Sequence, residues 1–387
     1  MTGRAADFQN EIYAYGLAEQ YPVVSTNAMN LEAAAREAME PGPFGYIAGG
    51  AGNGATDRAN LAAFTRWQIV PRMLTGSTDR ELATTVLGTE MPAPIMVAPV
   101  GVQSLFHPDG ELATARAAAS VGVPMIMSTA ASHTIEEVAQ ANGDGPRWFQ
   151  LYRPNDDDVC VSILRRARAA GFSVLVLTLD TWTLAWRPVD LDRAFLPFIR
   201  GVGTAVPFSD PAFLAGLAKP PAEDLGPAVG KWVPMFTGTD RTWEDLAFIR
   251  EHWDGPLVLK GIQHTDDARL AEEAGVDGIV VSNHGGRQVD GAIGALEALP
   301  GIVAAVGDRL TVLFDSGIRT GADVFKALAL GAKAVCVGRP YAYGLGLAGE
   351  DGVRQVLRGL MADLDLTLGL AGHHSVHELT PDALHRD

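Results

Sequence analysis

A chain of 387 residues, 47% of them hydrophobic, is long enough for one large α/β barrel as readily as for two or three smaller domains. Its formal net charge of -16 argues against the basic surface that nucleic-acid phosphates require, and its two cysteines, Cys160 and Cys336, are too few for a disulfide framework or a structural zinc site. No stretch approaches the roughly 18 uninterrupted apolar residues of a membrane span, and Met1 to Asn10 has no apolar signal core, so a soluble cytoplasmic protein without membrane or nucleic-acid partners is expected.

Residues 1–90 precede the first predicted strand. Leu31–Glu40 reads as a short amphipathic helix stopped by Pro41-Gly42-Pro43, and Thr56–Phe64 as a second helix after the glycine-rich run Gly49–Gly54. From Pro94 the chain repeats a helix–glycine–strand unit. Eight short apolar runs each end on a polar or charged residue: Ile95–Pro99, Met125–Ser128, Trp148–Tyr152, Val174–Asp180, Leu257–Lys260, Gly278–His284, Thr311–Asp315 and Ala334–Arg339. Parallel strands covered by helices on both faces read this way. Glycines at Val121-Gly122, Ala170-Gly171, Ala274-Gly275 and Leu330-Gly331 supply the left-handed cap between helix and strand. The pattern predicts an α/β fold, a (β/α)8 TIM barrel over residues 91–370 with a tail over 371–387, treated as a single domain. Functional side chains are expected at the carboxyl ends of its strands.

One connection breaks the rhythm. Residues from about 182 to 242, after the fourth run, are rich in proline and read as a long irregular insertion. Trp182, Trp186, Phe195, Phe198 and Phe208 give it apolar surface, which favours a lid packed over the working face.

The strongest local signal is Ser282-Asn283-His284-Gly285-Gly286-Arg287. An imidazole and a guanidinium on one glycine turn can serve a small acid, the first taking a proton and the second binding a carboxylate. Asp180 could orient that histidine or cap the next helix; Arg187 could add a second guanidinium. Lys260 could form a Schiff base, as in aldolases, or stay a fixed cation beside developing negative charge. The last two runs end in Asp315-Ser316-Gly317-Ile318-Arg319 and Gly338-Arg339. Loops at these positions frequently hold phosphate, and Asp315 suits polyol hydroxyls better than an anion, so a phosphorylated cofactor bearing a polyol is expected. Other signals read as bland. Gly344–Gly349 satisfies the dinucleotide-binding G-x-G-x-x-G pattern but does not sit on a strand-to-helix turn, Gly50–Ala55 is a looser version with no strand before it, His107–Gly110 is a turn, His373-His374 is a surface pair, and Cys336 lies in the core. No metal site is expected.

These strand-end residues, in this order, resemble the FMN-dependent α-hydroxy-acid oxidase and dehydrogenase family, from about Glu11 to Leu384. Within it the chain is most similar to the lactate 2-monooxygenase type, through Asn10–Tyr13, Tyr46–Gly50, Asp180–Trp182, Trp186–Pro188 and Lys260–His264. The resemblance implies FMN as cofactor, with His284 as the base and Asp180 its partner. It implies that Arg287, Arg187 and Tyr46 hold the substrate carboxylate, that Tyr152 contacts the α-hydroxyl, and that Lys260 lies by the flavin rather than forming a Schiff base. Ser128, Gln150, Thr178, Pro99, Val100 and Gly101 would line the flavin ring, while Ser282, Asp315, Gly317, Arg319, Gly338 and Arg339 would hold its ribityl phosphate end. The implied reaction is oxidation of a lactate-like L-2-hydroxy acid by O2 in a homo-tetramer or homo-octamer. Gly101, where relatives commonly have alanine, would leave space that slows release of the keto acid. Peroxide would then decarboxylate it, giving acetate, CO2 and water from lactate. The alternatives are a simple oxidase releasing keto acid and H2O2, and a lysine-dependent aldolase or lyase. Ala130, where relatives often carry a larger residue, implies room for more than a methyl side chain.

Overall fold

The computed structural model describes residues 4–238 and 241–387 and sets the eight predicted runs side by side in a closed, all-parallel barrel. The strands are β1 (Ile95–Val97), β2 (Met125–Ser128), β3 (Arg147–Leu151), β4 (Leu175–Thr178), β5 (Leu257–Ile262), β6 (Gly278–Val281), β7 (Thr311–Phe314) and β8 (Ala334–Val337). Each is followed by a helix: α1 (Gly110–Ser120), α2 (Ile135–Asn142), α3 (Asp157–Ala169), α4 (Leu246–His252), α5 (Thr265–Glu273), α6 (Ala295–Val306), α7 (Gly321–Ala329) and α8 (Arg339–Leu370). The four joint glycines all have positive φ, between 69° and 103°, so a side chain at any of them would be strained. Capping boxes at Thr134–Glu137 and Thr320–Asp323 start α2 and α7.

Strand alternation explains both the core and the site. One set of residues (Val97, Met127, Phe149, Leu177, Leu259, Val281 and their neighbours two residues away) packs outward against the helices. The other set forms a separate inner core of Met96, Ala98, Ile126, Trp148, Val176, Val258, Val280, Leu313 and Ala334. Two residues beyond these inner positions come Ser128, Gln150, Thr178, Lys260, Ser282, Asp315 and Cys336. The same period that fills the barrel with apolar side chains therefore lays a polar layer at its carboxyl end. At the opposite end a hairpin of Thr84–Val86 and Thr89–Met91 inserts Val86 and Met91 into the inner core, and Thr89 Oγ1 accepts a 2.9 Å hydrogen bond from Trp148 Nε1.

Four expectations need correction. Several runs overshoot their strands: β6 stops at Val281 and β4 at Thr178, so Asp180 and His284 stand on the loops beyond. Pro41-Gly42-Pro43 does more than stop a helix; after Ala28–Ala38 it opens another, Pro41–Ala48, because proline at the first position forfeits no hydrogen bond. The insertion is not irregular. It contains Pro188–Leu191, Ala205–Phe208, Pro211–Leu214 and the longer helix Leu225–Phe236, with several prolines in first turns. Phe195, Phe198 and Phe208 pack as expected, but Trp182 and Trp186 are exposed; residues 239 and 240 of the predicted lid lie outside the described residues. His373 is not a surface group but lies half-buried against Phe325, with ring centroids 5.6 Å apart. Among the described residues no helix is long and apolar enough to cross a membrane.

Candidate active site

The turn after β6 is wound through three successive left-handed residues, His284 (φ 58°), Gly285 (φ 65°) and Gly286 (φ 74°). Such a conformation costs on the order of 1–3 kcal/mol at a non-glycine residue and persists only where its surroundings enforce it. Here Ser282 Oγ accepts from the His284 amide (3.1 Å), Ser316 Oγ from the Gly285 amide (3.0 Å) and Asn283 Oδ1 from the Gly286 amide (3.0 Å). Gly286 has no room for a side chain, since a Cβ would stand 2.5 Å from the Asp57 amide nitrogen. Asn283 and Asn60 exchange reciprocal amide hydrogen bonds of 2.7 and 2.8 Å, which tie the turn to the helix Ala55–Thr65. The glycine run before that helix is no phosphate loop. It lies on the same turn, with the Ala51 amide donating to the Gly286 carbonyl and Asp290 capping the amides of Asn53 and Ala55.

The turn brings His284 Nδ1 to 2.8 Å from Asp180 Oδ1, and Thr181 Oγ1 donates to the same oxygen at 2.8 Å. With Nδ1 donating to the carboxylate, Nε2 keeps its lone pair for a proton. Burial alone would raise the Asp180 carboxyl, but His284 and the Lys260 ammonium, with hydrogen bonds from His284 and Thr181, hold it at about 2. His284 sits below the ordinary histidine value: burial lowers it, Asp180 pulls it back up in part, and Lys260 lowers it again. The pair is therefore a neutral imidazole backed by an anion, and a proton arriving on Nε2 is stabilised by that anion.

Among the guanidinium groups that line the cavity with His284 are Arg187 and Arg287. Arg187 is 8% exposed; its Nε donates to the Arg287 carbonyl (3.0 Å) and its Nη2 to Gln288 Oε1 (2.6 Å). Gln288 in turn donates to the carbonyls of Asp180 and Thr183. Arg287 donates to the Gly49 carbonyl and lies 5.3 Å from the Tyr46 ring centroid. Burial first, and then the like charge of Arg187, push Arg287 down from its ordinary value. The two cations lack a neutralising carboxylate within salt-bridge distance among the described residues and would be relieved by a bound anion. Tyr152 lines the same cavity, its hydroxyl pushed up to about 12 by burial and then by Asp180, so it is a neutral hydrogen-bond donor.

Beneath this lies the polar layer. Ser128 Oγ donates to Gln150 Oε1 (3.0 Å), and Gln150 Nε2 donates to Thr178 Oγ1 (2.9 Å). Lys260 Nζ donates to Ser282 Oγ (3.0 Å) and pairs with Asp315 at 3.2 Å. Burial would lower Lys260, but Asp315 and Asp180 together drive it up, so it is a locked ammonium and not the free amine that Schiff-base chemistry needs. The lysine-dependent lyase alternative is thus not supported. Cys336 also reaches the cavity floor, and burial pushes its thiol up and leaves it unreactive.

The far end of the cavity is lined by Gly317, Arg319, Gly338 and Arg339, with backbone at Pro99, Val100 and Gly101 along one side. Burial, and then Arg339, push Arg319 below its ordinary value, and Arg319 has no ion pair among the described residues. A half-buried guanidinium without an ion pair, beside glycine-rich strand ends, fits a phosphate. Arg339 is already engaged by Asp57 Oδ1 (3.0 Å) and the carbonyls of Ile47 and Gly285, so it holds the extension to the barrel as well as lining the cavity. Gly101 departs from expectation. An added Cβ would meet the Ala130 carbonyl at 2.6 Å and its methyl at 2.7 Å, so glycine here makes room for Ala130 and leaves no spare space on that side.

The cavity thus gathers Tyr46, Tyr152, Arg187, Lys260, His284 and Arg287 with the far-end groups, while Ser128, Gln150, Thr178, Ser282 and Asp180 do not line it, Ser282 and Asp180 being bonded to Lys260 and His284, which do. Sequence reading missed Gln288, Thr181, Ser316, Asn60 and Asp57 as positioning groups. Adjacency to Arg287, Asp180 and Asp315 signalled the first three; nothing local signalled the last two, whose partners are 223 and 282 residues away.

Comparison with known proteins gives one family. The FMN-dependent dehydrogenase family matches residues 35–386. The chain is 50% identical over 383 residues to an FMN-dependent alpha-hydroxy acid dehydrogenase of Penicillium citrinum, covering 98% of this chain and 95% of that one. It is 42% identical over 350 residues to an L-lactate oxidase of Lysinibacillus sphaericus, covering 90% of each. A crystal structure of mandelate oxidase superposes with a TM-score of 0.82 at 40% identity, covering 94% of this chain and 99% of that one.

Proposed function

The chain belongs to the family of FMN-dependent dehydrogenases, an oxidoreductase of α-hydroxy acids, and on that premise we propose that it oxidises an L-2-hydroxy acid with O2 as acceptor, releasing the 2-keto acid and H2O2. The observation that carries this reading is the His284–Asp180 pair, 2.8 Å apart, opening on the same cavity as Arg187 and Arg287. Arg187 and Arg287, with Tyr46, bind the substrate carboxylate and fix the α-carbon. Tyr152 donates to the hydroxyl oxygen, and His284 Nε2 removes a proton as two electrons leave the α-carbon. Asp180 stabilises the imidazolium that results.

The residues present fit FMN. Arg319 with the glycine-rich ends of β7 and β8 would hold its phosphate, Asp315 its ribityl chain and Lys260 its ring, with backbone at Pro99 to Gly101, while Ser282 holds Lys260 in place and the Ser128–Gln150–Thr178 chain forms the polar layer behind. When bound, FMN supplies the two-electron acceptor. The locked ammonium of Lys260 gives that end of the site a fixed positive charge.

A decarboxylating outcome, in which retained keto acid and H2O2 combine to a shorter acid, CO2 and water, is the second reading. The folded insertion over the cavity favours it; the contact of Gly101 with Ala130 removes the space on which it was argued. We expect aerobic turnover to give one H2O2 per keto acid and no CO2. Release of one CO2 per substrate consumed would overturn the simple-oxidase reading in favour of the second. Cytoplasmic location and a homo-tetramer or homo-octamer remain part of the proposal, the assembly being checked by sedimentation.

A further inference from the structure

The cavity has two chemically different halves. The strand-end half carries every charged group that lines it except Arg187, which hangs from the insertion but is tied back to Gln288. The other half is made by the insertion and is apolar. Phe198, 8% exposed, stacks on Trp232 with ring centroids 5.0 Å apart and planes 22° from parallel. Trp232 stacks in turn on Phe236 at 5.5 Å and 22°. Trp232 and Phe236 are four residues apart on the helix Leu225–Phe236 and so share a face. All three rings line the cavity. The wall is held down where Gly203 (φ 80°) lies so close to Val102 that an added Cβ would stand 2.4 Å from it. Leu184, Leu196, Ile199 and Val233 extend this apolar half around the three rings, and the lining is small at Gly101 and Ala130.

The α-carbon of a 2-hydroxy acid has four substituents, and three are already accounted for. The carboxylate belongs to Arg187 and Arg287, the hydroxyl to His284 and Tyr152, and the hydrogen must face the electron acceptor. The side chain is left with the wall of three stacked rings. A methyl group would leave most of that wall uncovered, whereas a flat ring adds one more member to an offset stack already in place. We infer that the preferred substrate carries an aryl or arylmethyl group on its α-carbon, with Trp232 and Phe198 as the residues that select it. This rests on the reading that the site oxidises 2-hydroxy acids.

The test is kcat/KM of the FMN-loaded enzyme for L-mandelate, L-3-phenyllactate and L-lactate, in the parent and in Trp232→Ala and Trp232→Phe. We expect the better aryl acid to exceed lactate by about tenfold or more, within the range that apolar pockets achieve. Trp232→Ala should cut that ratio by about tenfold, and Trp232→Phe should keep most of it. Lactate equal to or better than both aryl acids in the parent would overturn the inference while leaving the oxidase reading intact, as would an unchanged ratio in Trp232→Ala. Failure of all three acids to reduce the flavin would overturn the reading beneath it, and the inference with it.

Discussion

Replacing His284 by glutamine is expected to slow substrate-dependent flavin reduction by about 10²- to 10⁴-fold, the usual contribution of a positioned general base, while the protein keeps its yellow colour. The cofactor should stay because His284 faces the cavity from a turn whose own hydrogen bonds come from Ser282, Asn283 and Ser316 and not from the imidazole. The pH profile gives an independent check. His284 acts as the neutral base, and burial together with Lys260 sets it below the ordinary value of 6.5. Activity should therefore be on a plateau at neutral pH and fall only as pH drops through that lowered value. Asp180→Asn removes the carboxylate that partly raises His284, so the midpoint should move further down. The plateau should fall as well, because the imidazolium loses its anion. A midpoint that moved up, or stayed in place, would contradict the pairing.

Arg287→Met should lower kcat/KM by about 30-fold to several thousand-fold, the range for removing one member of a buried charged contact. Arg287→Lys should not restore it, since an ammonium cannot offer the paired N–H groups of a guanidinium. Without substrate the expectation reverses. Arg287 is a half-buried cation beside the like charge of Arg187, so the Met variant should melt no lower than the parent. Function and stability would then pull in opposite directions at one residue, as expected of a site built for an anion that is not always there. Thermal melts with and without a substrate-like carboxylate would show it: the parent gains more stability from the ligand than the variant does.

Much of this site was legible because strand alternation is legible. Once Val258, Val280 and Leu313 are read as inner residues, Lys260, Ser282 and Asp315 must follow on the same face two residues later. Where the chain leaves the strand, that rule stops. His284 reaches Asp180 because three left-handed residues turn it, and only the glycines at 285 and 286 hinted at such a turn. The insertion was misjudged for a different reason. Its proline density reads as irregular chain, yet Pro188 and Pro211 sit at first helical positions, where proline is favoured. Gly101 shows the limit most clearly. Its lack of a side chain suggested space, but what matters is the neighbour, and Ala130 comes from a different strand end, 29 residues further on. The Asp57–Arg339 and Asn60–Asn283 contacts are of the same kind, tertiary pairs with no local trace.

The most direct measurement is anaerobic mixing of the FMN-loaded protein with L-mandelate and, separately, its D enantiomer, followed by absorbance of the oxidised flavin. The account predicts rapid and complete bleaching by the L acid and none by the D acid at the same concentration. A flavin that stayed oxidised with L-mandelate, L-3-phenyllactate and L-lactate alike would contradict it.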